Sequence, residues 1–233
     1  MLYGKKIIGT VGYLGGLMAL PEAFAWCWGQ MIAYNSDYGC EASERIHYVR
    51  STVSFHAFAR NNLIDQMAGD WLVMMDTDII FDPDIITRLI HRAETYKLDV
   101  LSALYTQKSE PYVPVMYKWD KSGEKLEHIG KWEQHDGIYF IPIASAGAGC
   151  LFVRRPIFDR IRGELKEGPF DITHPFGEDH SFFLRLKKLG IQAYLDPSIE
   201  VHHLKLTPLS LDNYIPEDWM IGKKEEIILN GNR

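Results

Sequence analysis

Two aspartates separated by one residue, Asp76 and Asp78, directly follow an almost purely apolar run, 71–75. At the end of a strand, carboxylates with this spacing can reach the same side of the chain and bind a hard divalent cation through oxygen. Such a cation would bridge diphosphate oxygens and stabilise charge on a leaving group. The hydrophobic neighbours Met75 and Ile79 argue against a solvated acidic loop, because a buried carboxylate is costly unless it is paired or liganded. The pattern therefore predicts a cation and phosphate site.

Simpler explanations of these carboxylates compete with that prediction. Asp78 or Asp82 could be a helix cap, and Asp82 followed by Pro83 is typical of a helix start with proline at the first helical position. A calcium-binding EF-hand loop counted from the first aspartate fails, since Phe81 falls where glycine is required and Thr87 where glutamate is required. Asp-x-Asp also occurs by chance, so the triplet needs support from other motifs.

The elements around the triplet predict an α/β fold. Apolar runs and helical spacing indicate the following order: strands at 6–11, 45–49, 71–75, 100–104, 150–153, 191–195 and 199–203, with helices at 21–33, 54–67, 82–93, 155–161 and 179–189. Alternation of strands and helices in the first half implies a mostly parallel sheet with helices on both faces. Ligands of such sheets bind at the carboxyl ends of the strands, where Asp76 and Asp78 fall.

The middle of the chain, 108–141, is rich in Trp, Tyr, Pro and charge, which favours hairpins and loops over a core layer. Aromatic faces there could stack on sugars or nucleobases, but a local core is the simpler role for most of them. The side chains in question are Tyr112, Tyr117, Trp119, Trp132 and Tyr139.

Composition excludes several classes of protein. With 46% hydrophobic and 24% charged residues the chain is an ordinary globular protein, and its net charge of −6 provides no bulk basic field for nucleic acid. Cys27, Cys40 and Cys150 form no CxxC pair, which favours buried free thiols in a reducing compartment over zinc or disulfides. Apolar runs stay below the roughly 18 residues that span a bilayer. We expect a cytoplasmic protein that could be membrane-peripheral.

The first residues allow two interpretations. Lys5 and Lys6 precede an apolar stretch that leads to Ala23-Phe24-Ala25, a pattern typical of a secretory signal. Four glycines interrupt the stretch, which favours a buried strand followed by a glycine-rich loop.

A second acidic motif and a histidine pair lie far along the chain. Glu178 and Asp179 open a predicted helix, and His202 and His203 follow Asp196-Pro197-Ser198. With the Asp-x-Asp segment, they make the sequence resemble a family 2-type glycosyltransferase of the GT-A fold over about residues 5–205. The resemblance implies a Rossmann-like, mostly parallel central sheet flanked by helices, with a loop- and hairpin-rich acceptor side. It implies a single domain over 1–233: a nucleotide-sugar half at about 1–104, an acceptor and catalytic half at about 105–205, and a C-terminal tail at 206–233.

The resemblance also implies a metal site. Asp78 would be the principal ligand, Asp76 would contact the ribose or the metal, and His203 would be the late histidine ligand. His202 stands where the family commonly has glycine, which leaves open which imidazole faces the metal. An imidazole beside two carboxylates favours Mn²⁺ somewhat over Mg²⁺. The implied donor is a UDP- or GDP-linked sugar.

Further roles follow from the same resemblance. Asp179 would be the catalytic base, although a helix N-terminus stabilises the ionised carboxylate and makes it a weak base; an ordinary N-cap is the alternative. Glu178 would bind acceptor or hold the loop. Arg60 and Asn61 would lie near the base and phosphates of the nucleotide, or else be surface residues of a helix.

Two glycine-containing segments complete the implied donor site. Thr10, Val11 and Gly12 end the first predicted strand, where the base and ribose would bind and glycine permits close approach. The segment 146–150, with Gly147, would line the acceptor side of the sugar pocket, or form a tight turn before a strand.

The leading prediction is a metal-dependent, inverting transfer of a sugar from a nucleotide-diphosphate sugar to an acceptor hydroxyl. Alternatives are a retaining enzyme of the same fold, a sugar nucleotidyltransferase and a non-catalytic nucleotide-sugar-binding module. The loop at 12–16 lacks Arg and Lys, which counts against a nucleotidyltransferase. The acceptor could be a saccharide, a lipid-linked sugar, a protein or a modified nucleic acid.

Overall fold

The structure, a computed structural model, describes residues 6–16, 20–39, 44–130 and 140–205. The first elements along the chain are β1 (Lys6–Leu14), α1 (Glu22–Tyr34), β2 (Glu44–Ser51), α2 (His56–Gln66), β3 (Trp71–Met75), β4 (Ile79–Ile80), α3 (Ile85–Tyr96) and β5 (Val100–Leu104). Then follow β6 (Met116–Trp119), β7 (Leu126–His128), β8 (Ile141–Ile143), β9 (Ser145–Ala146), β10 (Cys150–Arg154), α4 (Arg155–Arg160), α5 (Glu178–Lys188), β11 (Ala193–Glu200) and β12 (His202–His203). Short π-helical turns continue α1 and α4.

A seven-stranded sheet with the order β2-β1-β3-β10-β5-β11-β8 forms the centre of the molecule. Strands β1, β2, β3, β5 and β11 run in one direction, and β10 and β8 run in the other. This confirms the predicted α/β fold with a mostly parallel sheet. The carboxyl ends of β3, β5 and β11 therefore meet at one edge, together with the amino end of β10.

Helices cover both faces of the sheet, as the continuous apolar sequence of β3 predicts. Leu72 and Met74 pack in a core with side chains of α2, α4 and α5. Trp71, Val73 and Met75 pack in a second core with side chains of α1 and α3. Since neighbouring side chains of a strand point to opposite faces, β3 contributes to both cores and holds the position of whatever follows it.

Strand β1 ends three residues later than predicted. It pairs with β2 as far as Leu14 and with β3 from Thr10 to Tyr13, so the segment 10–12 lies inside a central strand rather than at its end. Of the four glycines that suggested a break, Gly9 and Gly12 lie within β1, and Gly15 and Gly16 follow it.

Helix α3 also begins later than predicted. Its N-cap is Asp84, whose side chain makes no capping hydrogen bond, so the prediction that Asp82 caps the helix is wrong. Asp82 instead lies in the preceding turn, where its carbonyl oxygen accepts a hydrogen bond from Ile85 N–H at 3.1 Å. Pro83 belongs to that turn.

The middle of the chain contains the predicted hairpin. Strands β6, β7 and β9 form a small antiparallel sheet, in which Tyr117 contacts the rings of His128 and His180. Trp119 lies beneath the Lys187 ammonium, 3.7 Å from its ring centroid. Trp132, Tyr139, Cys40 and the tail 206–233 lie outside the described residues.

Three smaller expectations concern the whole chain. Cys27 and Cys150 are buried free thiols, as predicted. Across the described ranges, no helix has the length and apolar character needed to cross a membrane. The division of the domain into a donor half and an acceptor half stays a prediction.

Candidate functional site

The Asp-x-Asp segment leaves the sheet at the edge where the parallel strands end. Strand β10 runs antiparallel to β3, with Cys150 opposite Met75, and this pairing places the segment before β10 beside the triplet. The Asp76 N–H donates to the Gly149 carbonyl oxygen at 3.0 Å. The small-residue segment 146–150 and the triplet therefore lie side by side, although they are far apart in sequence.

A buried arginine connects the triplet to the second acidic motif. Arg60 on α2 is 2% exposed, and its Nη2 lies 3.1 Å from Asp76 Oδ1. Its Nε lies 3.2 Å from Asp179 Oδ1 and 3.6 Å from Glu178 Oε1. Its Nη1 donates to the Ala148 carbonyl oxygen at 3.0 Å. One guanidinium thus joins three carboxylates from two parts of the chain.

The charges in this cluster are unbalanced. Burial alone lowers the pKa of Arg60, but the carboxylates of Asp76, Asp179 and Glu178 outweigh burial and hold that pKa above its ordinary value. Three carboxylates share this single guanidinium, so the cluster has an excess of negative charge. An additional cation, or a proton on one of the carboxyl groups, would relieve it.

The pKa of Asp179 responds to both burial and this excess of negative charge. Burial raises the pKa of Asp179, the negative charge of Glu178 adds to that effect, and the attraction of Arg60 opposes it. Its Oδ1 is buried, although 27% of the side chain is accessible. Burial thus opposes the effect of the helix N-terminus, which by itself would keep this group a weak base. A raised pKa makes a carboxylate a stronger proton acceptor.

Tyr105 lines the same site from the end of β5. Its hydroxyl accepts a hydrogen bond from Gly149 N–H at 3.0 Å, and the side chain is 4% exposed. Burial, and then the nearby Asp179 and Asp76 carboxylates, raise its pKa well above the ordinary value, so it stays protonated. A Cβ at Gly147 would lie 2.2 Å from the Tyr105 hydroxyl oxygen, so this glycine is required for the close approach.

His203 is brought to the triplet by a two-residue strand pair. In β12 it lies opposite Ile79, the residue after Asp78, and the next backbone N–H, of Leu204, donates to the Asp78 carbonyl oxygen at 2.6 Å. Its Nδ1 lies 2.5 Å from the carbonyl oxygen of Thr106. Because a carbonyl oxygen only accepts, Nδ1 must carry the hydrogen, and the Nε2 lone pair of the neutral ring is left for a metal. His202, in contrast, is exposed.

The residues fit a divalent cation by their chemistry, although they do not form a complete protein cage. Asp78 Oδ1 is buried without a hydrogen-bond partner, and Asp76 Oδ1 is buried with only its ion pair to Arg60. Within the described part of the chain, no three His, Cys, Asp or Glu residues are grouped closely enough to hold a metal ion by themselves. Cations at phosphate sites are commonly held by one or two carboxylates together with substrate phosphates, so a smaller protein set is sufficient.

The other predicted donor residues have structural partners. The Thr10 hydroxyl donates to the Ala68 carbonyl oxygen at 2.7 Å and accepts from the Ala68 N–H at 2.8 Å. Val11 is fully buried, and a Cβ at Gly12 would lie 2.8 Å from a methyl carbon of Leu63. The absence of a side chain at position 12 therefore allows α2 to pack on β1.

Asn61 supports Arg60 indirectly, through the loop that packs against the guanidinium. Its side-chain amide donates to Asp171 Oδ1 at 2.9 Å and its oxygen accepts from Phe170 N–H at 3.1 Å. The Phe170 ring lies against the Arg60 guanidinium, 5.7 Å from centroid to carbon, and stacks on Phe182. Asn61 thus fixes the loop that covers Arg60.

Three residues of the site were not predicted from the sequence. Tyr105 and Lys108 follow β5, which is separated from β3 by β10 but has its carboxyl end at the same edge of the sheet, and Lys108 Nζ contacts Asp78 Oδ2. His180 follows the acidic pair, and its Nδ1 lies 2.7 Å from the Ser145 hydroxyl oxygen. Burial lowers the pKa of His180. A search for polar residues just after every predicted parallel strand would have found the first two.

Comparisons with known proteins identify the family and the fold of this chain. The sequence model of the family described as Glycosyl transferase family 2 matches residues 34–162, which is more than half of the 233 residues. This range includes Arg60, Asp76 and Asp78, and it ends before Glu178, Asp179 and His203. No curated protein matches the chain.

Solved structures show the fold. A crystal structure of A197 from STIV is 15% identical, with a TM-score of 0.51, and the match covers 87% of this chain and 97% of that one. A crystal structure of GalNAc-T7 with UDP, GalNAc and Mn²⁺ is 11% identical, with a TM-score of 0.59, over 96% of this chain and 48% of that one. This chain thus spans about half the length of GalNAc-T7.

Proposed function

This chain belongs to glycosyl transferase family 2, and we propose that it is a metal-dependent enzyme that moves a sugar from a nucleotide-diphosphate sugar to an acceptor hydroxyl. The observation that carries the proposal is the buried Arg60, which gathers the donor-side Asp76 and the acidic pair Glu178 and Asp179. In this arrangement one guanidinium contacts both the donor-side carboxylate, Asp76, and the proposed proton acceptor, Asp179. This supports a site in which donor and acceptor bind next to each other.

On the donor side, Asp78, Asp76 and the Nε2 of His203 would hold Mn²⁺ or Mg²⁺. When bound, such a cation supplies charge stabilisation for the departing diphosphate. The bonded Nδ1 of His203 orients the ring for this role. The Mn²⁺ in the GalNAc-T7 structure supports the choice of cation, and its UDP supports a UDP-linked donor, with a GDP-linked donor as the alternative.

On the acceptor side, Asp179 would act as the base of an inverting transfer. It takes the proton of the acceptor hydroxyl as that oxygen forms a bond to the anomeric carbon, while the bond from this carbon to the diphosphate oxygen breaks. The raised pKa of Asp179 favours proton acceptance. Glu178 raises that pKa and binds the acceptor or holds the loop. Arg60 keeps the carboxylate in place.

The remaining predicted donor contacts belong to the same proposal. Thr10, Val11 and Gly12 would face the base and ribose through their backbone, since their side-chain positions are used in packing. Gly147 leaves room for the sugar beside Tyr105. Asn61 acts through the loop that covers Arg60.

A thermal-shift screen is the first experiment. We expect UDP or GDP to stabilise the protein only when Mn²⁺ is present, and we expect nucleotide release from the matching sugar donor. Asp78→Asn should abolish both effects. Asp82→Asn is the matched control, because the Asp82 side chain is 75% exposed and lies outside the site. Equal activity of Asp78→Asn and the control would refute the metal site.

Stabilisation by nucleotide without turnover of any donor would identify a binding module instead. The anomeric configuration of the new glycosidic bond, read by NMR, decides between inversion and retention. Release of pyrophosphate from a nucleoside triphosphate and a sugar phosphate would identify a nucleotidyltransferase. Acceptors to be screened are saccharides, lipid-linked sugars, proteins and modified nucleic acids.

A further inference from the structure

Lys108 is the second cation at the candidate site, after Arg60. Its Nζ contacts Asp78 Oδ2 directly, and the two side chains are 43% and 37% exposed. Arg60 is buried, whereas Lys108 reaches the triplet from the solvent side of the loop after β5. Asp78 is thus paired with an ammonium at the position where a divalent cation would bind.

The backbone around Lys108 is anchored, so its side chain can change partner without movement of the loop base. Thr106 forms a bridge with Pro114, and the Gln107 N–H donates to the Val113 carbonyl oxygen at 3.0 Å. The Thr106 carbonyl oxygen also accepts from His203. Lys108 follows this anchor by two residues, and a lysine side chain has a flexible four-carbon stem.

The carboxylate of Asp78 is only half satisfied by this lysine. Its Oδ2 contacts the ammonium, while its Oδ1 is buried without a hydrogen-bond partner. A divalent cation on Asp78 would place two like-charged groups side by side, and their repulsion would expel the ammonium. Under the proposed function, the donor diphosphate arrives with the cation and would be the anion available to the released side chain.

We propose that Lys108 is a resident counter-cation of Asp78 that the divalent cation displaces, and that the released ammonium then binds the donor diphosphate. Lys108 therefore opposes binding of metal alone and favours binding of metal and nucleotide together. This makes it a binding residue that couples the two ligands. The inference rests on the proposed function, since it assumes a cation on Asp78.

The test measures two affinities with opposite expected changes. Free Mn²⁺ is titrated by electron paramagnetic resonance, and UDP binding at saturating Mn²⁺ is measured by calorimetry. In Lys108→Gln, Mn²⁺ alone should bind about twofold to fivefold more tightly, because the metal no longer has to break the Lys108–Asp78 ion pair. This range corresponds to the strength of one partly exposed ion pair. UDP should bind about threefold to tenfold more weakly, because a charge-assisted contact to phosphate is lost.

Two variants control the comparison. Lys121→Gln makes the same chemical change at an exposed residue in the turn between β6 and β7, and it should leave both affinities unchanged. Lys108→Arg keeps the positive charge and should stay closer to the wild type than Lys108→Gln does in both measurements.

The outcomes separate this inference from the proposed function. If Lys108→Gln binds Mn²⁺ no more tightly than the wild type, or binds UDP equally well, the role of Lys108 is wrong while the metal site stands. If Asp78→Asn binds Mn²⁺ as well as the wild type, or the wild type binds none with UDP present, both the metal site and the role of Lys108 are refuted.

Discussion

The Nε of Arg60 lies 3.2 Å from Oδ1 of Asp179, and this contact joins α2 to the first turn of α5 across the end of β3. The guanidinium is buried, and so is the carboxylate oxygen that faces it. An ion pair of this kind is costly to break from one side, because the remaining charge loses its partner in a site with little water. Loss of Arg60 should nevertheless cost more than loss of Asp179, because Arg60 keeps Asp76 and Glu178 as partners when Asp179 is replaced.

Replacement of Arg60 by methionine should destabilise the protein strongly. Three carboxylates would lose their shared cation, and removal of one partner of a buried pair costs about 3–5 kcal/mol. Urea unfolding at pH 7.5 measures this change. The loss should shrink at pH 4, where the carboxyl groups can bind protons.

Arg162→Met is the matched control for that experiment. Arg162 pairs with Asp65 at 2.6 Å on the surface, and both side chains are largely exposed. We expect a change below about 1 kcal/mol there, as for other exposed pairs. Similar losses in the two variants would mean that Arg60 does not hold the carboxylates as described.

Replacement of Asp179 by asparagine should stabilise the protein at neutral pH while it strongly slows transfer. The pKa of Asp179 is raised in the folded state, mainly by burial. This carboxyl group therefore favours folding below its ordinary pKa, and that contribution is lost as the pH rises through the raised value. The variant should melt at a higher temperature than the wild type at pH 7.5, and the difference should vanish near pH 3.

The same variant tests the chemical role of Asp179. Loss of a general base lowers the rate about 10²- to 10⁴-fold, so kcat should fall in this range while binding of UDP with Mn²⁺ persists. If the variant is more stable yet fully active, Asp179 is not the catalytic base but an ordinary residue at the start of the helix.

Replacement of Glu178 by glutamine should move the pH dependence of the reaction. Glu178 lies near Asp179, and its negative charge contributes to the raised pKa of that group. Without this charge the pKa of Asp179 should fall, and the acid limb of kcat/KM should move to lower pH. His56→Gln is a suitable control, since its ring is 72% exposed and lies 3.9 Å from Glu178. An unmoved acid limb would assign the titration to another group.

Replacement of Gly147 by alanine should damage the site through Tyr105. The new Cβ would lie 2.2 Å from the Tyr105 hydroxyl oxygen, and overpacking of this kind costs about 1–3 kcal/mol. Tyr105→Phe removes the oxygen and should recover part of the loss, so a double-mutant cycle should show coupling of about 1 kcal/mol or more.

A second glycine provides the control for the Gly147 variant. A Cβ at Gly29 in α1 meets no atom within 4 Å, so alanine there should stabilise the helix by about 0.5–1 kcal/mol. Thermal unfolding of the single and double variants measures both effects. Additive losses for positions 105 and 147 would contradict the close approach.

Much of the fold was predictable because local patterns determine it. The apolar run 71–75 is a strand buried on both faces, and 100–104 and 150–153 are strands as predicted. Boundaries were less predictable: β1 continues to Leu14 because two neighbouring strands pair with it, and α3 begins after Asp84 rather than at Asp82. The chain order did not reveal that β10 runs antiparallel between β3 and β5.

The sequence by itself determined the types of the candidate groups: two aspartates at a strand end, an acidic pair at a helix start and a late histidine. Only the tertiary structure decided how deeply these groups are buried, which charges face them and in which direction their pKa values are shifted. From the sequence alone, Arg60 could be a surface residue. The packing of α2 on β1 instead buries it among three carboxylates. A pKa depends on burial and on charges that are distant in sequence, so the raised pKa of Asp179 and the pairing of Asp78 with Lys108 required the folded chain.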